Sequence, residues 1–74
     1  MRRLRVNDPG LRVTNPDWAG ALVPPGVYEA DTSRLSDGTQ GRRLMRSGRV
    51  VAIATEADLR AARASGLVHW EDEA

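Results

Sequence analysis

The sequence predicts a small α+β fold: an antiparallel β-sheet built of hairpins, one short C-terminal helix, and an extended N-terminal arm. Three observations point there. Residues 42–54 hold two apolar strand signals around Ser47-Gly48, a two-residue loop with glycine that suits the twist of a β-hairpin. From Thr55 to Gly66 the chain carries start and stop signals for one helix. Near the N-terminus, Leu4-Arg5-Val6 and Leu11-Arg12-Val13 alternate apolar and basic side chains with the period of a strand. The expected organisation is a strand or arm over 1–17 and a domain over 18–74, with its hairpin at 42–54 and its helix at 55–65.

Seventy-four residues make one domain, and a domain of that size buries only about 60% of its unfolded surface. Small domains usually gain support from disulfides, a metal or a partner. There is no cysteine, and the single histidine, His69, has no company that resembles a ligand set, so neither a metal nor a cofactor is expected. A partner surface is the expected support. No stretch approaches the roughly 20 apolar residues of a membrane span, and no apolar run follows the N-terminal arginines as in a signal peptide. The expectation is a protein neither inserted in a membrane nor secreted.

In chain order, the first seventeen residues echo themselves: Leu-Arg-Val, a polar residue, Asp or Asn, then proline. Pro9-Gly10 is a good turn dipeptide between the copies, which read as a hairpin or as an arm that pairs with another subunit's sheet edge. The arm is expected to order only on docking. Asn15-Pro16-Asp17 is a second turn, and Trp18 beside it reads as a core plug, with a binding anchor as the alternative. Gly20 to Val23 allows one brief strand, Pro24-Pro25-Gly26 has the composition of a type II turn, and Val27 to Ala30 resumes as a strand. Asp31 to Gly41 is dense in Asp, Ser, Thr and Gly with Leu35 as its apolar anchor, the pattern of a mobile loop.

A two-residue loop at Ser47-Gly48 sets a register: Arg46 opposite Arg49, Met45 opposite Val50, Leu44 opposite Val51, Arg43 opposite Ala52, Arg42 opposite Ile53. Leu44, Val51 and Ile53 then share the core face, and Met45, Val50 and Ala52 the other. Both faces being partly apolar, the strand from Arg49 is expected to be central or covered by a partner. Thr55 is a natural N-cap, with Asp58 placed as the reciprocal acceptor of a capping box and Glu56 adding charge to the first turn. Gly66 sits where a left-handed C-terminal cap belongs, and Leu59, Ala62 and Ala61 form a small-residue face. Leu67 to Trp70 is a last extended segment, Trp70 closing the core or meeting a partner, before an acidic tail of Glu71, Asp72 and Glu73 that leaves the fold.

Catalysis is not expected: the chain has neither a cysteine nucleophile nor a glycine-rich phosphate loop, and His69 lies beside the charged tail. The feature that asks for an explanation is arginine. All eleven basic residues are Arg, as a GC-rich genome produces and as bidentate anion contacts require. Net charge is only +1, but Arg2, Arg3, Arg5 and Arg12 sit at one end, Arg42, Arg43, Arg46 and Arg49 crowd the hairpin, and acids close the chain. Such ends would let copies stack head to tail as a homo-oligomer. Arg46 opposite Arg49 places like charges on paired positions, at a cost of a few tenths to about 1 kcal/mol unless an anion sits between them. The expected partner-binding residues are Arg3, Arg5, Arg12, Arg42, Arg43, Arg46, Arg49, Trp18 and Trp70. An acidic protein surface is the expected partner, and nucleic acid a weaker candidate, since aromatic interleaving and helix-turn-helix spacing are missing.

With those residues read, the chain resembles the short accessory proteins that tailed bacteriophages encode beside their major head genes: capsid decoration, cement and minor head proteins. The resemblance lies in Leu11-Arg12-Val13-Thr14-Asn15-Pro16, in Val23-Pro24, and in Ala54-Thr55-Glu56-Ala57-Asp58-Leu59 running to Ser65-Gly66-Leu67-Val68 and the acids beyond. It covers about half the chain, and Asp31 to Gly41 has no counterpart in it. It implies a non-enzymatic structural role, in many copies on a lattice of major capsid or other head protein, in the virion and, during assembly, in the host cytoplasm. The alternative is a small nucleic-acid-associated regulator using Arg42, Arg43, Arg46 and Arg49 on phosphates.

Overall fold

The strand signals do become strands, and long-range pairing assembles them. In the computed structural model, which describes residues 2–72, the elements in order are β1 (Arg2–Val6), β2 (Leu11–Arg12), a 3-10 turn (Pro16–Trp18), β3 (Leu22–Val23), β4 (Gly26–Arg34), β5 (Gln40–Arg46), β6 (Arg49–Thr55), α1 (Glu56–Ala64) and β7 (Val68–Trp70). Five strands form one sheet in the order β6-β5-β4-β1-β7, every pair antiparallel, while β2 and β3 form a separate two-stranded ribbon. The fold class is the α+β class expected of the sequence.

Placement of the N-terminal segment corrects the expectation of an arm. It is extended, as its alternation requires, but β1 lies inside the sheet between β4 and β7, with Leu4 paired to both Tyr28 and Trp70. Leu4 and Val6 are fully buried. Their own chain thus supplies the pairing that an arm would find on a neighbour. Nor do the two echo copies pair with each other. Gly10 closes the turn after Pro9 by donating to the Asn7 carbonyl at 2.8 Å, and its φ of 105° with the Val23 carbonyl close by leaves no room for a side chain. The chain then enters the ribbon, where Leu11 faces Val23.

One face of the sheet carries the core. Leu4, Val6, Tyr28, Ala30, Leu44, Ala52, Ala54 and Val68 are buried there, closed over by Leu59 and Ala62 of α1 and by Leu11, Val13 and Val23 of the ribbon. Small alanines on β6 let the helix and ribbon approach closely, and the Tyr28 hydroxyl is satisfied by the Pro24 carbonyl at 2.5 Å.

Hairpin β5–β6 opens on the expected turn: Ser47 and Gly48 both have positive φ, 54° and 75°, which is the type I′ geometry. Its register holds for Arg46↔Arg49 and Met45↔Val50, then slips. A bulge after Met45 puts Leu44 opposite Ala52, Arg43 opposite Ile53 and Arg42 opposite Ala54. Leu44 is buried as expected, but the buried residues of β6 are Ala52 and Ala54, and Val51 and Ile53 are only half-buried, the reverse of the expected core face on that strand. Strand β6 is an edge strand, not a central one.

Residues 31–41, expected as a loop, are mostly strand. β4 runs on to Arg34 and pairs with β5 as far as Gln40, leaving a tight turn over Leu35 to Thr39. Leu35 is buried, and Asp17 accepts from both the backbone N–H and the hydroxyl of Ser36 at 2.7 and 2.5 Å, which ties this turn to the 3-10 turn. Pro24-Pro25-Gly26 is a bend leading from the ribbon into β4, and Gly26 at φ 151° lies outside type II geometry.

The helix caps as expected at both ends. The Thr55 hydroxyl accepts from the Asp58 N–H at 3.0 Å, and past Ser65 the Gly66 N–H reaches Arg63 O and the Leu67 N–H reaches Ala62 O, at 3.1 and 2.9 Å, which is a Schellman closure. Asp58, however, does not complete a capping box. Its carboxylate turns to Thr14, accepting from the hydroxyl at 2.8 Å and from the N–H at 3.4 Å, and so fastens the helix start to the ribbon. Ala61 faces solvent.

Candidate functional site: the outer sheet face and the hairpin tip

Most of the arginines that stand out in the sequence are engaged within the chain. Because β1 and β7 pair antiparallel, the N-terminal arginines meet the C-terminal acids: Arg2 reaches Asp72 at 3.2 Å and Arg5 reaches Glu71 at 3.2 Å. The Glu71 N–H also donates to Arg3 O at 2.9 Å, so Glu71 adds one bond beyond β7 and the turn of Glu71 and Asp72 stays against β1 instead of leaving the fold. The Arg2 guanidinium holds the Asp72 carboxyl below the usual aspartate range. Charges expected to attract a second copy are thereby neutralised internally; Glu73 lies outside the described residues.

Within the hairpin, Arg42 pairs with Glu56 at 3.3 Å and also donates to the Ala30 carbonyl. Arg43 lies 3.8 Å from Asp31 across the β4–β5 pair. Arg12 donates to the Gly20 carbonyl at 2.8 Å and braces the ribbon. Trp18 is half-buried against the core, which agrees with the plug reading. Trp70 is half-buried and flanked by two guanidinium groups, Arg2 at 3.9 Å and Arg42 at 5.2 Å from its ring centre, so its aromatic surface is occupied by cation–π contacts. Arg5, Arg12, Arg42, Arg43, Trp18 and Trp70 thus all have structural work inside the domain.

Three of the expected site residues are left facing outward. Arg3 and Arg49 are exposed and have no side-chain partner among the described residues. Arg46 is exposed with its guanidinium 5.6 Å over the Tyr28 ring. Arg3 and Arg46, distant in sequence, line one shallow concavity of about 240 Å³ together with Val27, Glu29, Met45 and Ser47. Arg46 and Arg49 close the hairpin beside it as the directly paired like charges at the tip.

The outer sheet face around this concavity is mixed. Val27, Met45, Val50 and Ile53 are half-buried on it, and Arg3, Arg5, Glu29, Asp31 and Arg43 stand among them. Val27, Glu29 and Met45 escaped the sequence reading because only the pairing of β1 with β4 and of β4 with β5 brings them beside Arg3. One signal for the chain closure was present in the sequence: basic residues at one end and acids at the other, which pair within one molecule. Chemically, the surface offers arginine cations, the Glu29 carboxylate and apolar contacts. Among the described residues no cluster of His, Asp or Glu is arranged to hold a metal ion. Comparison with protein-family models, with curated proteins and with solved structures gives no match for this chain.

Proposed function

We propose that the protein is a non-enzymatic docking module whose outer sheet face and hairpin tip bind an acidic protein surface, serving as a decoration or minor structural protein on a phage head lattice. The observation that carries the docking reading is that Arg3 and Arg46 line one concavity with half-buried Val27 and Met45, with Arg49 paired to Arg46 at the hairpin tip beside it. Cations spaced between apolar side chains are what a protein interface needs at its rim and centre, and flat shape suits a lattice better than a small ligand. The phage-head setting rests on the resemblance in Leu11 to Pro16 and in Ala54 to Val68. A small nucleic-acid-associated regulator remains the second reading, since the same three arginines match phosphates.

Arg3→Glu and Arg49→Glu together decide the surface, because neither side chain has an internal partner to lose. The double variant is expected to unfold at the wild-type midpoint yet to lose the co-sedimentation with assembled phage heads that is expected of the wild-type protein. Wild-type protein titrated with duplex and single-stranded DNA is expected to show weak binding. A loss of DNA affinity with salt at the slope of about three or four released phosphates would overturn protein docking in favour of the regulator.

A further inference from the structure

The chain treats the two edges of its large sheet differently. On β6 the outward carbonyl of Ile53 receives the Asn15 side chain at 2.6 Å, and β3 packs alongside. Strand β7 pairs only with β1 among the described residues. Its bonds to that neighbour run from Asn7 N–H to Leu67 O and from Glu71 N–H to Arg3 O, with Arg5 opposite His69 between them. Antiparallel ladders alternate bonded and non-bonded pairs, so Val68 and Trp70 turn their N–H and C=O groups to the outside. Natural sheets usually cover, charge or shorten such an edge. Here a groove of about 480 Å³ runs between it and α1, lined by Arg60, Arg63, Ala64, Gly66, Val68 and His69, with no carboxylate in the lining. Arg60 is exposed and has no partner among the described residues.

We propose that this edge accepts one extended acidic segment of a partner protein as a sixth strand, its backbone pairing with Val68 and Trp70 and its carboxylates reaching Arg60. Strand addition supplies what these groups lack: an extended backbone that both donates and accepts. A phosphate chain offers acceptors only and leaves the two carbonyls unmatched. A second copy of this chain, paired edge to edge about a two-fold axis, would set the arginine-lined groove of one molecule beside that of the other, like charge against like. An acidic strand fits both the backbone and the sign. This surface is separate from the outer face, and the inference stands without the docking reading given above.

The test uses the full chain and a fluorescein-labelled peptide of alternating Val and Glu, with two companions: one with Lys in place of Glu, and one N-methylated on alternate backbone nitrogens. The Val/Glu peptide is expected to bind saturably, with amide shifts centred on Val68 and Trp70, and both companions are expected to fail. Arg60→Glu, on an exposed helix position, is expected to weaken binding by about tenfold or more while Arg3→Glu leaves it unchanged. Four results overturn the proposal: no saturable binding, equal binding of the N-methylated peptide, shifts centred on the outer sheet face, or dimerisation of the chain through β7. A duplex DNA that produced the same shifts would overturn it as well, assigning the groove to phosphate.

Discussion

At the scale of single residues, Asn15 and Asp58 hold more of the fold together than their place in a polar stretch announces. Asn15 is the only buried polar side chain among the described residues, and it serves two elements at once: its oxygen accepts from the Trp18 N–H at 3.0 Å and its nitrogen donates to Ile53 O at 2.6 Å. Buried groups left without a partner cost about 1–3 kcal/mol, a large share of the 5–15 kcal/mol a domain has in total. Asn15→Ala is therefore expected to lower unfolding free energy by about that amount in urea melts followed by tryptophan fluorescence. Asn15→Asp keeps the bond to Trp18 but sets an acceptor against the Ile53 carbonyl, and is expected to be no better. The sequence made a turn legible at Asn15-Pro16-Asp17, because proline and asparagine chemistry is local. It did not reveal the bond to Ile53, which depends on a strand 38 positions away. Asp58 makes the same point: three residues after an N-cap threonine, local chemistry assigns it to the helix, and tertiary contact assigns it to Thr14.

Among elements, the β5–β6 hairpin shows where periodic reasoning stops. Turn chemistry at Ser47-Gly48 fixes the first two pairs, and a single extra residue in β6 then turns the remaining side chains over. Nothing in a run of Val, Ala and Ile marks where that residue belongs, so the buried pair Ala52 and Ala54 was hidden behind the larger Val51 and Ile53. Gly41 at the far end explains part of the choice. A Cβ there would stand 2.5 Å from Ala54 O and 3.2 Å from its carbonyl carbon, although the residue needs no positive φ. The approach of two backbones thus requires glycine where the sequence alone reads one more loop residue. Gly41→Ala is expected to cost about 1–3 kcal/mol in urea unfolding, with amide shifts spreading along β5 and β6 and sparing β1. The helix was the most legible element, since its caps at Thr55 and Gly66 are made from neighbouring residues.

For the whole molecule, the decisive fact is that β1 is interior. Leu4 and Val6 each contribute about 1.5–3 kcal/mol of burial, and β1 carries the hydrogen bonds of two neighbours, so its loss would exceed what a small domain can spare. A chain lacking residues 1–6 is expected to show no cooperative thermal transition, whereas a detachable arm would leave the transition of the remaining domain intact. Alternation made β1 a strand in the sequence, but which strands it joins was not legible, because both partners lie far along the chain. Of the candidate site, the exposed arginines were legible and the apolar contacts between them were not. The pairing of β1 with β7 also sets the timetable of synthesis. Arg5 and Glu71 stand 66 positions apart, so β1, made before the other strands described, is among the last to be flanked on both sides. Until Val68–Trp70 emerges, β1 is a half-covered ribbon of Leu and Val held on β4 alone. Closing so long a loop is slow compared with hairpin formation, which makes the nascent chain, and not the finished domain, the form most exposed to wrong partners.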